Sequence, residues 1–501
     1  MSRSKLGVGA SVVVALIAWA AILFQQAQQP EVGTDTVSGI NNTALFLTTG
    51  AHGLSNVHYA TVQALLEHHP HIEIHFATAV DVTPSGDVVN GRDAAKLARI
   101  SSFARANSPT ALDPVFHRLP GPSWEGALLE NTDVGVVSLQ LPPGYKGVAS
   151  LSQQIQHSFA PWTSEEYLRI YRATRELIDK VDPAVVVLDT FFMPAIDAAR
   201  EARRLHAFIT PNTLVDNFVA DQPWLGMLWK YPFVGTDFAF PVPWRHIPEN
   251  ALAAARLIWA VLHMPIMKAK QQFLREHGGI NIPVDIVPPN VTCTGPMVIS
   301  VAPAAKQDAE LTAWLARGGK GKTIFINLGS SISEYNSEQA STMAAAIRAT
   351  LEKHTDVQLS DLIASGRVRI SGWLNVDPVS LLETGDIVAS VHHGGSNCYH
   401  EAVYAGVPQV ILPLWADLYN YAALVETSGI GVYGSRGTAP NWTVEGLTNA
   451  FLAVVDDEKA SSMRAKSQKL SQKAKERPGR MVAAAEIAKW AGSGRADVSP
   501  E

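Results

Sequence analysis

Cysteine is almost missing from this chain: there are two in 501 residues, Cys293 and Cys398. That count excludes a disulfide framework and a cysteine-built zinc site, and leaves two buried thiols as the expectation, with a single pair as the alternative. Charge is sparse as well. Charged residues make up 17% of the chain, and 40 basic against 46 acidic residues leave a net charge of −6. Such a balance gives no basic footprint, so nucleic acid is not an expected partner. No GxGxxG follows the first apolar segment, which argues against a nicotinamide-dependent reductase. No DxD pair stands at a strand end, so the sequence predicts no metal, and no short internal repeat is visible.

What is present is a 47% hydrophobic chain, suited to large cores and long enough for two domains. The N-terminus is different in kind. After Arg3 and Lys5, residues 6–24 carry no charge; as a helix they would extend roughly 28 Å, close to the hydrocarbon thickness of a bilayer. No small-x-small cleavage site follows, so residues 1–25 are expected to be an uncleaved signal anchor, with 26–41 a polar linker. The positive charges would stay cytosolic, placing the body in the lumen of the endoplasmic reticulum. Sequons at Asn41, Asn290 and Asn441 are compatible with that placement.

Beyond the linker, apolar strands alternate with helical periodicity. Residues 44–48 read as a strand, followed by the loop TGAHGLSN and a helix over 57–67. His68, His69, His71 and His75 straddle a proline turn and a strand at 72–76, and read as solvated loop histidines rather than ligands. Residues 81–165 are rich in turn signals and read as irregular, with an acceptor pocket as one use for such sequence. A helix at 167–181, a strand at 184–188 ending on Asp189, a helix at 195–205 and a strand at 207–210 follow. Residues 251–272 form a long apolar helical stretch, at a domain boundary or on a membrane. Strands at 298–301 and 323–328 open a second series. The pattern is α/β: two doubly wound Rossmann-like domains facing a central cleft, here 42–280 and 281–455, with a charged helical tail at 456–501.

The second series centres on one stretch. An apolar strand over 386–391 stops at His392, His393, Gly394 and Gly395; a helix starts at Ser396 or Asn397, and a strand at 410–414 leads to Asp417. Glycines let the backbone approach a ligand, and a helix starting just after them aims free N–H groups and a positive dipole end at it. An anion belongs at Gly395, Ser396 and Asn397. Glu401, four residues past Asn397, shares its helix face and can accept hydrogen bonds from a pair of sugar hydroxyls. Gly329 and Ser330, after the strand at 323–328, offer further N–H and hydroxyl groups to phosphates.

With Trp373 upstream, this spacing resembles the donor-binding signature of family 1 glycosyltransferases, the UDP-sugar-dependent enzymes, in their fungal form. The resemblance implies a GT-B-like fold in which Trp373 stacks on uracil, His393 contacts the diphosphate, Glu401 holds the ribose and Asp417 holds the sugar. His393 is preferred to His392 because only it gives both spacings, eight residues to Glu401 and 24 to Asp417. The plant form of the signature has Gln, Trp, Ser and Gln where this chain has Val376, Ser396, Cys398 and Leu418, so the nucleotide half is better preserved than the sugar half. In the same family the catalytic base has the position of His52. Asp189 ends a strand in the same domain and would fix the imidazole tautomer and favour the imidazolium formed in the reaction. His58 is the alternative base. The resemblance also implies that the tail crosses back onto the N-terminal domain.

The function these residues imply is inverting, metal-independent transfer of a hexose, glucose by preference, from a UDP-sugar to a hydroxyl of a small lipophilic acceptor: a secondary metabolite, sterol or lipid. A nucleotide-sugar epimerase of the same architecture and a non-catalytic UDP-sugar-binding subunit are the alternatives.

Overall fold

The computed structural model describes residues 36–79, 92–132, 140–159, 161–213, 219, 222–263, 294–329, 335–351, 358–455 and 457–495. The predicted anchor at 1–25 and most of the linker lie outside them, as do Cys293, Asn290 and Ser330. Among the described residues no helix is long and apolar enough to cross a membrane.

Among the described residues the first sheet has five parallel strands in the order β3-β2-β1-β4-β5: β1 Ile40–Thr48, β2 Glu73–Ala79, β3 Val115–Leu119, β4 Pro183–Leu188 and β5 His206–Phe208. Residues 44–47 of β1 and the whole of β4 are continuous apolar runs because helices cover both their faces. Helices α1 His52–His68, α2 Arg92–Asn107, α3 Trp124–Asn131, α4 Tyr145–Phe159, α5 Ser164–Val181, α6 Met193–Glu201 and α7 Ile247–Leu262 belong to this half. One core gathers Leu45, Leu47, Val186 and Leu188 against Ile170, Ile178 and Trp162; the other gathers Phe46, Val185 and Val187 against Val57, Leu65 and Phe76.

The second sheet is β6-β7-β8-β9, also all parallel: Thr323–Asn327, Ile387–His392, Gln409–Ile411 and Gly431–Tyr433. Its helices include α8 Ala309–Gly318, α9 Ser337–Leu351, α10 Ser396–Ala405, α11 Leu418–Ser428 and α12 Val444–Val455. The tail makes α13 Asp457–Glu476, which packs on α10, and α14 Gly479–Ala491, which packs on α1. Ala484, Ile487 and Ala491 of α14 join the core of the first domain, and Arg480 pairs with the buried Glu67 at 2.6 Å.

Three expectations are corrected. Residues 298–301 are not a strand. The side chain of Gln63 takes both groups of the Ser300 peptide, donating to its carbonyl at 2.7 Å and accepting from its N–H at 2.9 Å. Met297 and Ile299, just before it, pack on the first domain. An apolar segment whose backbone is satisfied by an amide side chain needs no sheet. Residues 81–165 are less irregular than their turn signals suggest, holding α2, β3, α3 and α4. Finally, the helix predicted from 57 starts at His52. The carbonyl of Ala51 receives the N–H groups of Leu54 and Ser55 at 3.0 and 2.9 Å, which places His52 at the first position of α1 rather than on a loop.

The two crossings between domains touch. The chain passes into the second domain after Ser300 and returns between α13 and α14, where the Gly479 N–H donates to the Pro296 carbonyl at 3.1 Å. A Cβ at Gly479 would stand 2.5 Å from the Gly295 carbonyl oxygen, so only glycine fits there.

Candidate active site

β7 delivers two histidines with opposite surroundings. His392 is fully buried: its Nε2 pairs with Gln409 Oε1 at 2.9 Å and its Nδ1 accepts from the Gly394 N–H at 3.1 Å. Burial lowers its pKa to about 4, so it braces the turn as a neutral ring. His393 is held in a slot between two glycines. A Cβ on Gly329 would lie 2.5 Å from His393 Cε1, and one on Gly395 would lie 2.4 Å from His393 Nε2. Trp415 stands at its side, with ring centroids 6.2 Å apart. Among the described residues His393 Nδ1 is buried without a hydrogen-bond partner. Burial, with His392 adding to it, lowers the pKa to about 3. Against a diphosphate a neutral imidazole acts as a hydrogen-bond donor, while the N-terminus of α10 supplies the positive potential.

The first turn of α10 reaches across to the other domain. Ser396 Oγ donates to the Pro211 carbonyl, and the Tyr421 hydroxyl lies 3.2 Å from that carbonyl and 2.9 Å from Ser396 Oγ. Asn397 Nδ2 donates to the Gly53 carbonyl at 3.1 Å. Both side chains, expected beside phosphates, here tie α10 to the first domain, so an anion at this turn would be left to its backbone N–H groups. Gly329 follows β6 with φ 94° and Gly394 follows β7 with φ 95°, both left-handed turns that glycine permits.

Glu401 stands half-buried on α10. Its pKa rises to about 8, chiefly from burial, with nearby Asp377 raising it further and Lys96 opposing. Trp373 is 62% exposed, and the Arg92 guanidinium lies 5.5 Å from its ring centre. Asp417 is half-buried immediately before α11, after Ala416 at φ 34°.

In the first domain Asp189 is buried at the end of β4. It accepts from Thr48 Oγ1 at 3.2 Å, Thr49 Oγ1 at 3.1 Å and the Phe191 N–H at 3.0 Å. Burial raises its pKa, and these bonds oppose the rise. His52 opens α1 from the neighbouring β1, so the two predicted catalytic residues start from adjacent strand ends. The side chain of His52 lies outside the described positions. His58 is wholly buried, edge-on to Phe46 at 6.2 Å, and burial lowers its pKa to about 3. It is a core residue, not a base facing a substrate. Cys398 is a free thiol whose pKa burial pushes upward. Of the clustered histidines, His75 bonds His117 at 2.8 Å and Glu73 at 3.1 Å across the sheet edge.

The residues missed in the sequence are cations of α2. Arg92, Lys96 and Arg99 share one helix face at spacings of four and three, a signal the sequence does carry. Arg99 makes a two-point pair with Asp377, at 2.7 and 3.0 Å.

The chain is similar to known proteins over most of its length. Residues 238–484 match the family described as UDP-glucoronosyl and UDP-glucosyl transferase. The glycosyltransferase sdnJ of Sordaria araneosa is 30% identical over 440 residues, 79% of this chain and 84% of that protein. UDP-glucuronosyltransferase 2B17 of Homo sapiens is 27% identical over 193 residues, 38% of this chain and 35% of its own. Among solved structures, a UDP-glucosyltransferase from Polygonum tinctorium superposes with a TM-score of 0.58 at 18% identity, over 92% of this chain and 100% of that one. Phytolacca americana UGT2 gives 0.57 at 14%, over 90% and 100%. The shared fold is GT-B.

Proposed function

Since the chain belongs to the UDP-glucuronosyl and UDP-glucosyl transferase family, and so is a glycosyltransferase that moves a sugar from a UDP-sugar to a small acceptor, we propose that the sugar is a hexose, glucose first, and the acceptor a lipophilic alcohol. His52 takes the proton from the acceptor hydroxyl as its oxygen attacks the anomeric carbon. The bond to the diphosphate breaks on the opposite face, so configuration inverts. Asp189 favours the imidazolium so formed; a positioned base of this kind contributes about 10²- to 10⁴-fold. Trp373 and Glu401 take the uridine, His393 and the first turn of α10 take the diphosphate with Gly329 and Ser330, and Asp417 takes the sugar hydroxyls.

The observation carrying this reading is the bond from Asn397 to the Gly53 carbonyl, 3.1 Å long. It ties the anion-binding turn of one domain to the residue after His52 in the other. The proposal includes no metal, because a helix N-terminus and imidazole N–H stabilise the leaving charge. It also includes residues 6–24 as a membrane anchor that brings the enzyme to an apolar acceptor.

The test is incubation of the protein lacking residues 1–25 with a panel of UDP-sugars and an extract of lipophilic alcohols, following UDP by mass spectrometry beside His52→Ala. UDP release that needs an extract component and collapses in the variant supports the reading. Isomerisation of a UDP-sugar with no acceptor would sink it.

A further inference from the structure

The proposed uracil platform, Trp373, belongs to the second domain, yet the group that stands on its ring belongs to the first. Trp373 lies in an irregular stretch before the short helix Pro378–Leu382 and is 62% exposed, and Ile370 ahead of it is 69% exposed. Leu374 and Val376, just after it, reach the core of their own domain. The Arg92 guanidinium lies 5.5 Å from the Trp373 ring centre, within the range at which an aromatic face holds a cation. A base slipped between them would need about 7 Å, two layers at van der Waals separation. Arg92 therefore takes one face of the indole, and the exposed remainder of the ring is left for a base.

Two turns further along α2, on the same face of the helix, Arg99 makes its two-point pair with Asp377 at 2.7 and 3.0 Å. Asp377 precedes the helix Pro378–Leu382 without a side-chain cap on it, both carboxylate oxygens being turned to Arg99. Its backbone is fixed from its own side. The Asp377 N–H donates to Gln307 Oε1 at 3.0 Å, and Gln307 Nε2 donates to Ser380 Oγ at 3.2 Å. The pair thus ties α2 to the anchored end of the stretch whose exposed part carries Trp373.

We propose that Arg92 and Arg99 are positioning residues for the donor: Arg92 backs the Trp373 ring so that its free face is set for uracil, and Arg99, locked to Asp377, holds α2 where Arg92 can do so. This rests on the reading of Trp373 as the uracil platform. An exposed indole on an irregular stretch samples several rotamers, and ordering it on binding costs affinity. A ring already held escapes that cost, which amounts to about two- to tenfold in affinity. Arginine suits the task because its guanidinium is planar, stacks on an aromatic face and keeps its charge at every working pH. The uracil subsite is thereby complete only when a helix of the other domain stands behind it.

The test is binding of UDP and of UMP by titration calorimetry to the wild type, Arg92→Met, Arg99→Met, the charge exchange R99E/D377R, Trp373→Ala and the doubles R92M/W373A and R99M/W373A. Methionine keeps the apolar stem, and thermal unfolding checks that each variant is folded. R92M and R99M are expected to bind both nucleotides about two- to tenfold more weakly, and R99E/D377R to recover toward the wild type. On the W373A background neither methionine costs anything further. Unchanged binding in R92M would overturn the inference, as would tighter binding, since Arg92 would then be blocking the platform. A charge exchange no better than R99M, a loss repeated on W373A, or one seen with UDP and not with UMP would overturn it too; the last two would mean that the cations act on the domains as a whole or on the diphosphate. If W373A binds UDP as tightly as the wild type, the uracil reading itself fails first.

Discussion

Asn397 and Gly53 are 344 residues apart in sequence and joined by a 3.1 Å hydrogen bond from the Asn397 side-chain amide to the Gly53 carbonyl. The donor-side helix thus fixes the backbone that carries His52. Replacing Asn397 by alanine removes that tie without touching the diphosphate slot. kcat is expected to fall about tenfold or more, since small misplacements of a reacting group are costly, while UDP affinity changes little. Steady-state kinetics set beside UDP titration separates the two; equal losses in both would place Asn397 on the nucleotide instead.

Gly329 borders the His393 ring, and an added Cβ would stand 2.5 Å from it at a backbone φ of 94°. Gly329→Ala combines strain of about 1–2 kcal/mol with displacement of the imidazole. UDP binding should weaken by about tenfold or more, measurable by calorimetry. An alanine variant with native affinity would remove His393 from the diphosphate contact.

Asp189 makes the opposite kind of prediction for stability and for rate. Burial raises its pKa in the folded state, so its ionisation costs stability as pH climbs past the ordinary carboxylate range, and that cost is absent below it. Asp189→Asn should therefore unfold at or above the wild-type temperature near pH 7, with the difference vanishing toward about pH 4. Turnover should nonetheless drop about 10²- to 10⁴-fold, because Asn cannot favour the imidazolium. A stable variant with unimpaired turnover would take Asp189 out of the mechanism.

The tail contributes through Arg480, whose guanidinium meets Glu67 of α1 at 2.6 Å with both side chains largely buried. Arg480→Ala leaves the largely buried Glu67 carboxylate with His68 Nε2, at 3.8 Å, as its remaining charged neighbour among the described residues, at a cost of about 3 kcal/mol. Urea unfolding of R480A beside the double replacement R480M/E67L should show most of that loss restored in the double variant. A loss confined to a few tenths of a kcal/mol would mean the tail docks by apolar contact alone.

Much of the fold, and the placing of the proposed donor-site residues at strand ends and turns, is legible in the sequence. The run from β7 through Gly394 and Gly395 to α10 announces its turn because glycine and a helix start are local signals, and the spacing of Trp373, His393, Glu401 and Asp417 carries the family. Ser396 and Asn397 show where local signals stop. Their side chains answer to Pro211 and Gly53, 185 and 344 residues away, and no periodicity encodes such partners. Residues 298–301 have the composition of a strand, but Gln63, 237 residues earlier, satisfies the backbone that a ladder would have used. The α2 cations are visible at their spacing, and Arg92 and Arg99 acquire a meaning only with Trp373 and Asp377 standing opposite them.

The contact of Gly479 with Pro296 sets what kind of motion remains to the enzyme. Among the described residues, the segment leading into the second domain and the one returning from it are bonded to each other there. Two segments bonded side by side make a pivot, which favours tilting of the bodies they join over sliding. Entry and exit of a nucleotide between them would then depend on an angle, with the polar ties from Arg99 to Asp377 and from Asn397 to Gly53 standing across the opening.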